Sequence, residues 1–173
     1  ENVVSKEKNP FEQFKVSKFN TKTKKRALTK EDMMKIITTE TIQATTLRTF
    51  TRDVFTFAYL CGGISFVDMA NLTLDNIYKE RIRYIRQKTH GEINLKLCDQ
   101  AKEIIEKYIS YREKATYLFP ILDARLHKTP MQKKNRVRKV LARINKELKV
   151  LASELEIKTD VTTYVAKHHT ISI

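Results

Sequence analysis

The stretch DVFTFAYLCGGISFVDMANL, residues 53–72, decides the fold of this 173-residue chain. Its first half carries apolar residues at helical spacing through Leu60, which predicts an amphipathic helix. Gly62-Gly63 ends that helix, because glycine readily adopts the backbone conformation found just after a helix C-terminus. The run Ser65-Phe-Val-Asp68 is a capping pattern, which predicts a short second helix through Ala70.

Helix signals lie on both sides of this stretch. Upstream, Thr29 and Asp32 repeat the capping pattern and predict a helix through about Thr39. Downstream, Asp99 is expected to cap a further helix. The central pair of helices is therefore expected to pack among other helices.

A long helix is predicted toward the C-terminal end. The run Thr129-Pro130-Met-Gln132 places a capping threonine, a first-turn proline and a glutamine in the favoured order. Apolar residues then recur at helical spacing over residues 137–155, which suits either a core-facing helix or a coiled-coil seam, and we favour the first. Thr159-Asp160 is expected to cap a last helix that begins near Val161.

The pattern changes to a two-residue alternation over residues 81–97. Ile82 and Tyr84 share one face of a strand, and apolar residues alternate with polar ones over residues 93–97 in a partner strand. Gly91 marks the turn between them. Taken together, the chain is predicted to be mainly α with a small antiparallel β-sheet, the α+β class.

Composition limits the class of protein. Only three Gly and three Pro favour helices over a sandwich or barrel, and 41% hydrophobic residues can supply a core. No run approaches the roughly 18 apolar residues of a membrane span, so no membrane partner is expected. Cys61 and Cys98 fit neither a zinc spacing nor a disulfide framework, so we expect no metal and a reduced, cytoplasmic location.

The charge points to a partner. Lys and Arg total 34 against 20 acidic residues, a net charge of +14, which favours polyanions. Nucleic acid is preferred over a membrane surface, since no basic amphipathic helix carries aromatic anchors, and a merely solvated basic surface is the alternative. The candidate phosphate contacts are Lys24, Lys25, Arg26, Arg86, Arg136 and Arg138.

Three segments together resemble the tyrosine recombinase (phage integrase) family, and specifically integrases from mobile elements of Bacteroides-like bacteria. Residues 53–72 resemble the family's helix, turn and helix around its first catalytic arginine. The run Arg83-Tyr-Ile-Arg-Gln-Lys88-Thr89 resembles the hairpin that carries its catalytic lysine. The run Thr162-Thr-Tyr-Val-Ala-Lys167-His168 is similar to its second arginine box.

The resemblance implies a domain organisation and a reaction. Residues 1–28 would be a linker and the end of an upstream core-DNA-binding region, and residues 29–173 a recombinase-like catalytic domain lacking its C-terminal nucleophile segment. In the family a tyrosine attacks a DNA phosphate and forms a 3′-phosphotyrosine link, with no metal or cofactor. The implied partner is duplex DNA, with self-association on it, in the bacterial cytoplasm at the nucleoid.

The resemblance also assigns roles to single residues. Lys88 would deliver a proton to the departing 5′ oxygen. Lys167 stands where the second arginine belongs, and it offers a point charge in place of a bidentate fork. The first arginine belongs near Gly62 and is absent there, so the chain as it stands is expected to be inactive. His168 is expected to be catalytic.

The C-terminal segment admits two alignments. A continuous helix from Val161 would put Tyr164 and His168 on one face. Residues 168–173 also resemble a later segment of the family, which would mean that residues are missing between Ala166 and His169. The sequence leaves both open, with a slight preference for the second.

The expected function is therefore site-specific DNA recombination by strand cleavage and rejoining. One alternative is a catalytically inactive relative that only binds DNA, as an accessory factor or repressor. The other is a basic helical scaffold that binds protein through the apolar stripe of residues 137–155.

Overall fold

The computed structural model describes residues 28–39, 46–110 and 116–166. Within them the chain is mainly helical with one small antiparallel sheet, which confirms the predicted α+β class. In chain order the elements are α1 (Lys30–Thr38), α2 (Thr46–Leu60), α3 (Phe66–Ala70), β1 (Ile77–Tyr78), β2 (Arg81–Ile85), β3 (Glu92–Lys96), α4 (Asp99–Ser110) and α5 (Pro130–Glu154).

Helix α1 begins where the capping pattern predicts. The Thr29 hydroxyl accepts a hydrogen bond from the backbone N–H of Asp32 at 3.0 Å, which satisfies one free donor of the first turn. Met33, Ile36 and Ile37 are buried on one face of the helix and pack toward α2. The local signal and the packing therefore agree.

Helix α2 lies at the centre of the fold. Phe55 and Phe57 are fully buried on it, and the helix packs against α1, α4 and α5. At its outer side Arg48 joins α2 to α5, through Glu147 at 2.8 Å and Glu154 at 2.7 Å. The two longest helices are thus held together by both apolar burial and an ion-pair network.

A buried carboxylate joins α2 to α4. Asp53 is 3% exposed and accepts hydrogen bonds from Lys107 Nζ at 2.5 Å and from the Tyr108 hydroxyl at 2.9 Å, while Arg52 pairs with its other oxygen at 2.9 Å. Its charge is therefore compensated, as a buried ion requires. Burial, and then the Asp53 carboxylate, raise the pKa of the Tyr108 hydroxyl well above its usual range.

The predicted hairpin is confirmed, and the sheet holds one strand more than the sequence predicted. Strand order is β1-β2-β3, all antiparallel, with Ile82 opposite Leu95, and the buried residues of β2 are Ile82 and Tyr84. Strand β1 joins β2 through Lys79 and Glu80, both with positive φ (43° and 61°). Two-residue turns with positive φ at both positions favour asparagine and glycine. Lys79 and Glu80 therefore do not indicate a turn in the sequence.

Helix α5 carries the predicted N-terminal box. The Thr129 hydroxyl accepts from the backbone N–H of Gln132 at 3.2 Å, and the Gln132 side chain accepts from the backbone N–H of Thr129 at 3.0 Å. Its apolar stripe is buried against this chain's own core, with Ile144 and Leu148 fully enclosed. The preferred core-facing interpretation therefore holds.

The predicted last helix does not begin at Val161 in the described residues. Residues 163–164 form a turn and residues 165–166 are 3-10 helix, with the Val165 N–H donating to the Thr162 carbonyl at 3.0 Å. Asn145 on α5 accepts from the backbone N–H of Thr163 at 3.0 Å, and Asp160 pairs with Lys149. This part of the chain is thus held against α5 by a hydrogen bond and an ion pair.

The predicted cap at Asp99 is also wrong, by one residue. Asp99 is the first residue of α4, and its carboxylate accepts from Lys102 Nζ at 3.1 Å. The backbone N–H of Lys102 donates to the carbonyl of Cys98 at 3.1 Å.

Candidate functional site

The hairpin loop between β2 and β3 faces the turn between α2 and α3 across a cleft of about 620 Å³. The turn contributes two glycines and the start of α3, and the loop contributes polar and cationic side chains. The lining residues are Gly62, Gly63, Ser65, Val67, Asp68, Arg86, Gln87, Lys88 and Thr89. Two of the three segments that resemble the recombinase family therefore meet at this cleft, namely residues 53–72 and the hairpin.

The glycine side of the cleft is fixed by backbone geometry. Gly62 and Gly63 have φ of 65° and 75°, and Gly63 N–H donates to the Ala58 carbonyl at 2.8 Å, which closes the end of α2. A side chain at either position would strain this left-handed backbone. The two glycines therefore end the helix as predicted and place no side chain in the cleft.

The opposite side is the hairpin loop, residues 86–91. Arg86 N–H donates to the Gly91 carbonyl at 3.0 Å, and His90 N–H donates to the Arg86 carbonyl at 2.9 Å. His90 has a φ of 54°, which turns the chain back toward β3. Lys88 lies exposed at the tip of this loop. The loop is thus a closed turn that presents Arg86 and Lys88 on the same cleft.

Asp68 connects the two sides. It is only 7% exposed; one carboxylate oxygen accepts from the backbone N–H of Gln87 at 2.8 Å, and the other accepts from the Ser65 hydroxyl at 2.6 Å. Ser65 in turn caps α3 by accepting from the backbone N–H of Asp68 at 3.1 Å. The carboxylate therefore fixes the loop that carries Lys88 against the start of α3.

Sequence reasoning gave Asp68 only a capping role and missed this contact. The missing signal is spatial, because Gln87 lies 19 residues further along the chain. The burial of Asp68 beside a turn would have indicated a hydrogen-bonded partner, because buried carboxylates are rarely unpaired. Burial is not visible in the sequence.

Arg86 lies close to the phenol of Tyr84, which is buried. Burial, and then the nearby Asp68 charge, raise the pKa of Tyr84 to about 12, while Arg86 acts in the opposite direction. The phenol therefore stays protonated at neutral pH.

The predicted site residues do not all fall together. Arg86 and Lys88 share the cleft. Arg136 is half-buried on α5, where its Nε donates to the Ile121 carbonyl at 3.1 Å, and Arg138 is exposed on the same helix. Five predicted residues lie outside the described part of the chain: Lys24, Lys25, Arg26, Lys167 and His168. The two alignments of the C-terminal segment differ there as well.

Within residues 28–39, 46–110 and 116–166, His, Cys, Asp and Glu nowhere form a group of three that could hold a metal ion. No helix in that part of the chain is both long and apolar enough to cross a membrane.

Comparison with known proteins connects this geometry to a fold. No protein-family model matches the chain, and no curated protein matches its sequence. Among solved structures, XerA recombinase is similar with a TM-score of 0.52 and 13% identity, over 82% of this chain and 47% of that chain. Lambda integrase, solved bound to DNA, is similar with a TM-score of 0.55 and 16% identity, over 82% of this chain and 48% of that chain.

This chain therefore has the fold of the tyrosine recombinase catalytic domain, as the resemblance in its sequence led us to expect. It spans about half the length of the two recombinase structures. At such low identity the likeness concerns the fold.

Proposed function

We propose that this chain carries the DNA-cleaving cleft of a site-specific tyrosine recombinase, an integrase of a mobile element. Such an enzyme breaks and rejoins DNA strands through a phosphotyrosine link. The observation that carries the proposal is the pairing of Arg86 and Lys88 across from the Gly62-Gly63 turn, in a chain with this fold.

The two cations suit the two demands of the reaction. Negative charge grows on the non-bridging oxygens of the phosphate as it is attacked, and a guanidinium fork stabilises it best. The departing 5′ oxygen needs a proton, which a positioned ammonium group can supply. We assign the first task to Arg86 and the second to Lys88.

Arg86 also answers the main departure of this sequence from the family pattern. The resemblance places the first arginine near Gly62, where this chain has none. Arg86 lines the same cleft from the opposite side, so its guanidinium can reach a phosphate bound over the glycine turn. We therefore propose that Arg86 supplies the charge that the turn lacks.

The nucleophile is not assigned here to any described residue. Among the residues that line the cleft within the described part of the chain, none is a tyrosine. Lys167 and His168 stay candidates for the phosphate site, with Lys24, Lys25, Arg26, Arg136 and Arg138 as candidate contacts to the DNA backbone. Self-association on DNA is part of the same proposal.

The proposal is tested by cleavage of a nicked duplex that traps the covalent protein–DNA adduct, using the intact gene product. Arg86→Ala should slow adduct formation by roughly 100-fold, the cost of one well-placed charge-stabilising donor. Arg86→Lys should fall between, because it keeps the charge and loses the fork.

The matched control is Arg81→Ala, which removes a half-buried arginine at the start of β2 that binds Asn94 outside the cleft. It should leave the cleavage rate within about twofold of the parent, since it touches no cleft residue. If Arg81→Ala and Arg86→Ala slowed cleavage equally, Arg86 would contribute only general electrostatic attraction to DNA. DNA binding with no adduct from the parent protein would favour the DNA-binding role without catalysis.

A further inference from the structure

A groove lies away from the cleft, between the first half of α2, the end of α4 and the middle of α5. It measures about 670 Å³, within the range of sites that enclose a small ligand or a few anchoring side chains. It shares none of the cleft's lining residues. The reaction proposed for the cleft therefore does not account for this groove.

The floor of this groove is apolar and aromatic. Leu47 is 39% exposed there, a large fraction for an aliphatic residue on a helix that faces the core. Beside it the rings of Phe50 and Tyr108 pack edge to face, with their centres 5.6 Å apart. Covering such a floor is favourable, because each square ångström of apolar surface removed from water contributes about 25 cal/mol.

The rim of the groove is positively charged. Lys107, Arg136 and Arg143 line it, and none of its described lining residues carries a carboxylate. Two of these cations are held in place, Lys107 by Asp53 and Arg136 by the Ile121 carbonyl. Arg143 is exposed to solvent. The groove therefore combines an apolar floor with cations on fixed positions around it.

Charge and shape decide between the possible occupants. Duplex DNA could contact the cationic rim, but its sugar–phosphate surface offers nothing apolar for the floor. This chain's own residues 1–27 contain eight basic and three acidic residues, so the rim repels them. An acidic helix with apolar residues along one side satisfies both the floor and the rim.

We propose that this groove binds an acidic amphipathic helix of a partner protein. Its aliphatic or aromatic side chains at i, i+3, i+4 and i+7 cover Leu47 and the two rings. Its Asp or Glu residues flank that row and pair with Arg143. The groove is thus a protein-docking surface, independent of the DNA cleft.

The test is fluorescence anisotropy with a labelled synthetic peptide that carries Leu and Phe at those spacings and Glu at the flanking positions. The parent protein should bind this peptide, and Leu47→Ser and Arg143→Glu should each weaken binding by roughly tenfold, as expected for residues at the centre and charged edge of an interface. Both residues are exposed, so the variants should keep the parent's circular dichroism spectrum.

Two matched controls make the result specific. A peptide with Lys in place of every Glu should bind at least about tenfold more weakly, since like charges then face each other. The variant Lys146→Glu reverses an exposed charge on the same helix, outside the groove, and should leave the affinity unchanged within about twofold.

Three results would overturn the proposal. The first is the absence of binding by the acidic peptide, and the second is equal binding of the Lys peptide. The third is sedimentation that shows the parent protein self-associating and Leu47→Ser dissociating it, which would make a second copy of this chain the occupant.

Discussion

At the residue scale, one buried carboxylate sets the geometry of the cleft. Asp68 receives the backbone N–H of Gln87 from the hairpin loop and the hydroxyl of Ser65 from the start of α3. Lys88 follows Gln87 directly, so the position of its backbone depends on this bond. On the proposed function, Asp68 is a positioning residue that acts on the chemistry through the loop.

Replacing Asp68 should free the loop without unfolding the protein. Asp68→Ala leaves the Gln87 N–H without its partner and should lower the free energy of unfolding by about 1–3 kcal/mol. Asp68→Asn keeps an oxygen that can accept from Gln87 and should lose less. Hydrogen exchange at the Gln87 amide measures the hydrogen bond to Asp68 directly. The rate of adduct formation measures how loss of that bond affects Lys88.

In Asp68→Ala the Gln87 amide should exchange much faster, and cleavage should fall about tenfold or more. Asp68→Asn should keep most of the parent's protection of the Gln87 amide and most of its cleavage rate. An unchanged exchange rate at Gln87 in Asp68→Ala would show that the loop is held by something else.

At the element scale, the long helix α5 stabilises the fold through its buried stripe. Ile144 is 0% exposed and sits in the middle of that stripe. Ile144→Ala should lower the free energy of unfolding by about 2–5 kcal/mol, because it removes buried apolar volume and leaves a cavity. Urea denaturation measures this loss.

Val150 on the same helix is 40% exposed and provides the control. Val150→Ala should change the free energy of unfolding by no more than about 0.5 kcal/mol. If both variants lost the same amount, the stripe of α5 would not be facing the core.

Elements that depend on neighbouring residues could be predicted from the sequence, and those that depend on distant contacts could not. The Thr29 and Thr129 caps and the Ile82–Tyr84 alternation are local patterns, and each produced the element expected of it. The turn after Val161 depends on Asn145 of α5, which local propensity cannot register. The cleft was foreseen in part, since Lys88 and Arg86 were singled out, but their meeting with the glycine turn required the fold.

At the scale of the whole molecule, the proposed function assigns the net charge of +14 to the encounter with DNA. Binding to duplex DNA should weaken steeply with salt, with a slope of about −0.9 in log affinity against log salt for each phosphate neutralised. Arg138→Ala, at an exposed position on α5, should make that slope shallower by about 0.9. Titrations at several salt concentrations measure it, and a slope near zero for the parent would contradict phosphate contact.

The central claim is that Lys88 protonates the leaving 5′ oxygen in the cleft, and one substrate tests it most directly. In a duplex whose scissile 5′ bridging oxygen is replaced by sulfur, the leaving group is a thiolate, which is stable near neutral pH and needs no acid. In the intact gene product, Lys88→Ala should cleave the ordinary duplex roughly 100-fold more slowly than the parent. It should cleave the sulfur-containing duplex at close to the parent's rate. If Lys88→Ala is equally slow on both duplexes, Lys88 is not the acid and this account of the cleft is wrong.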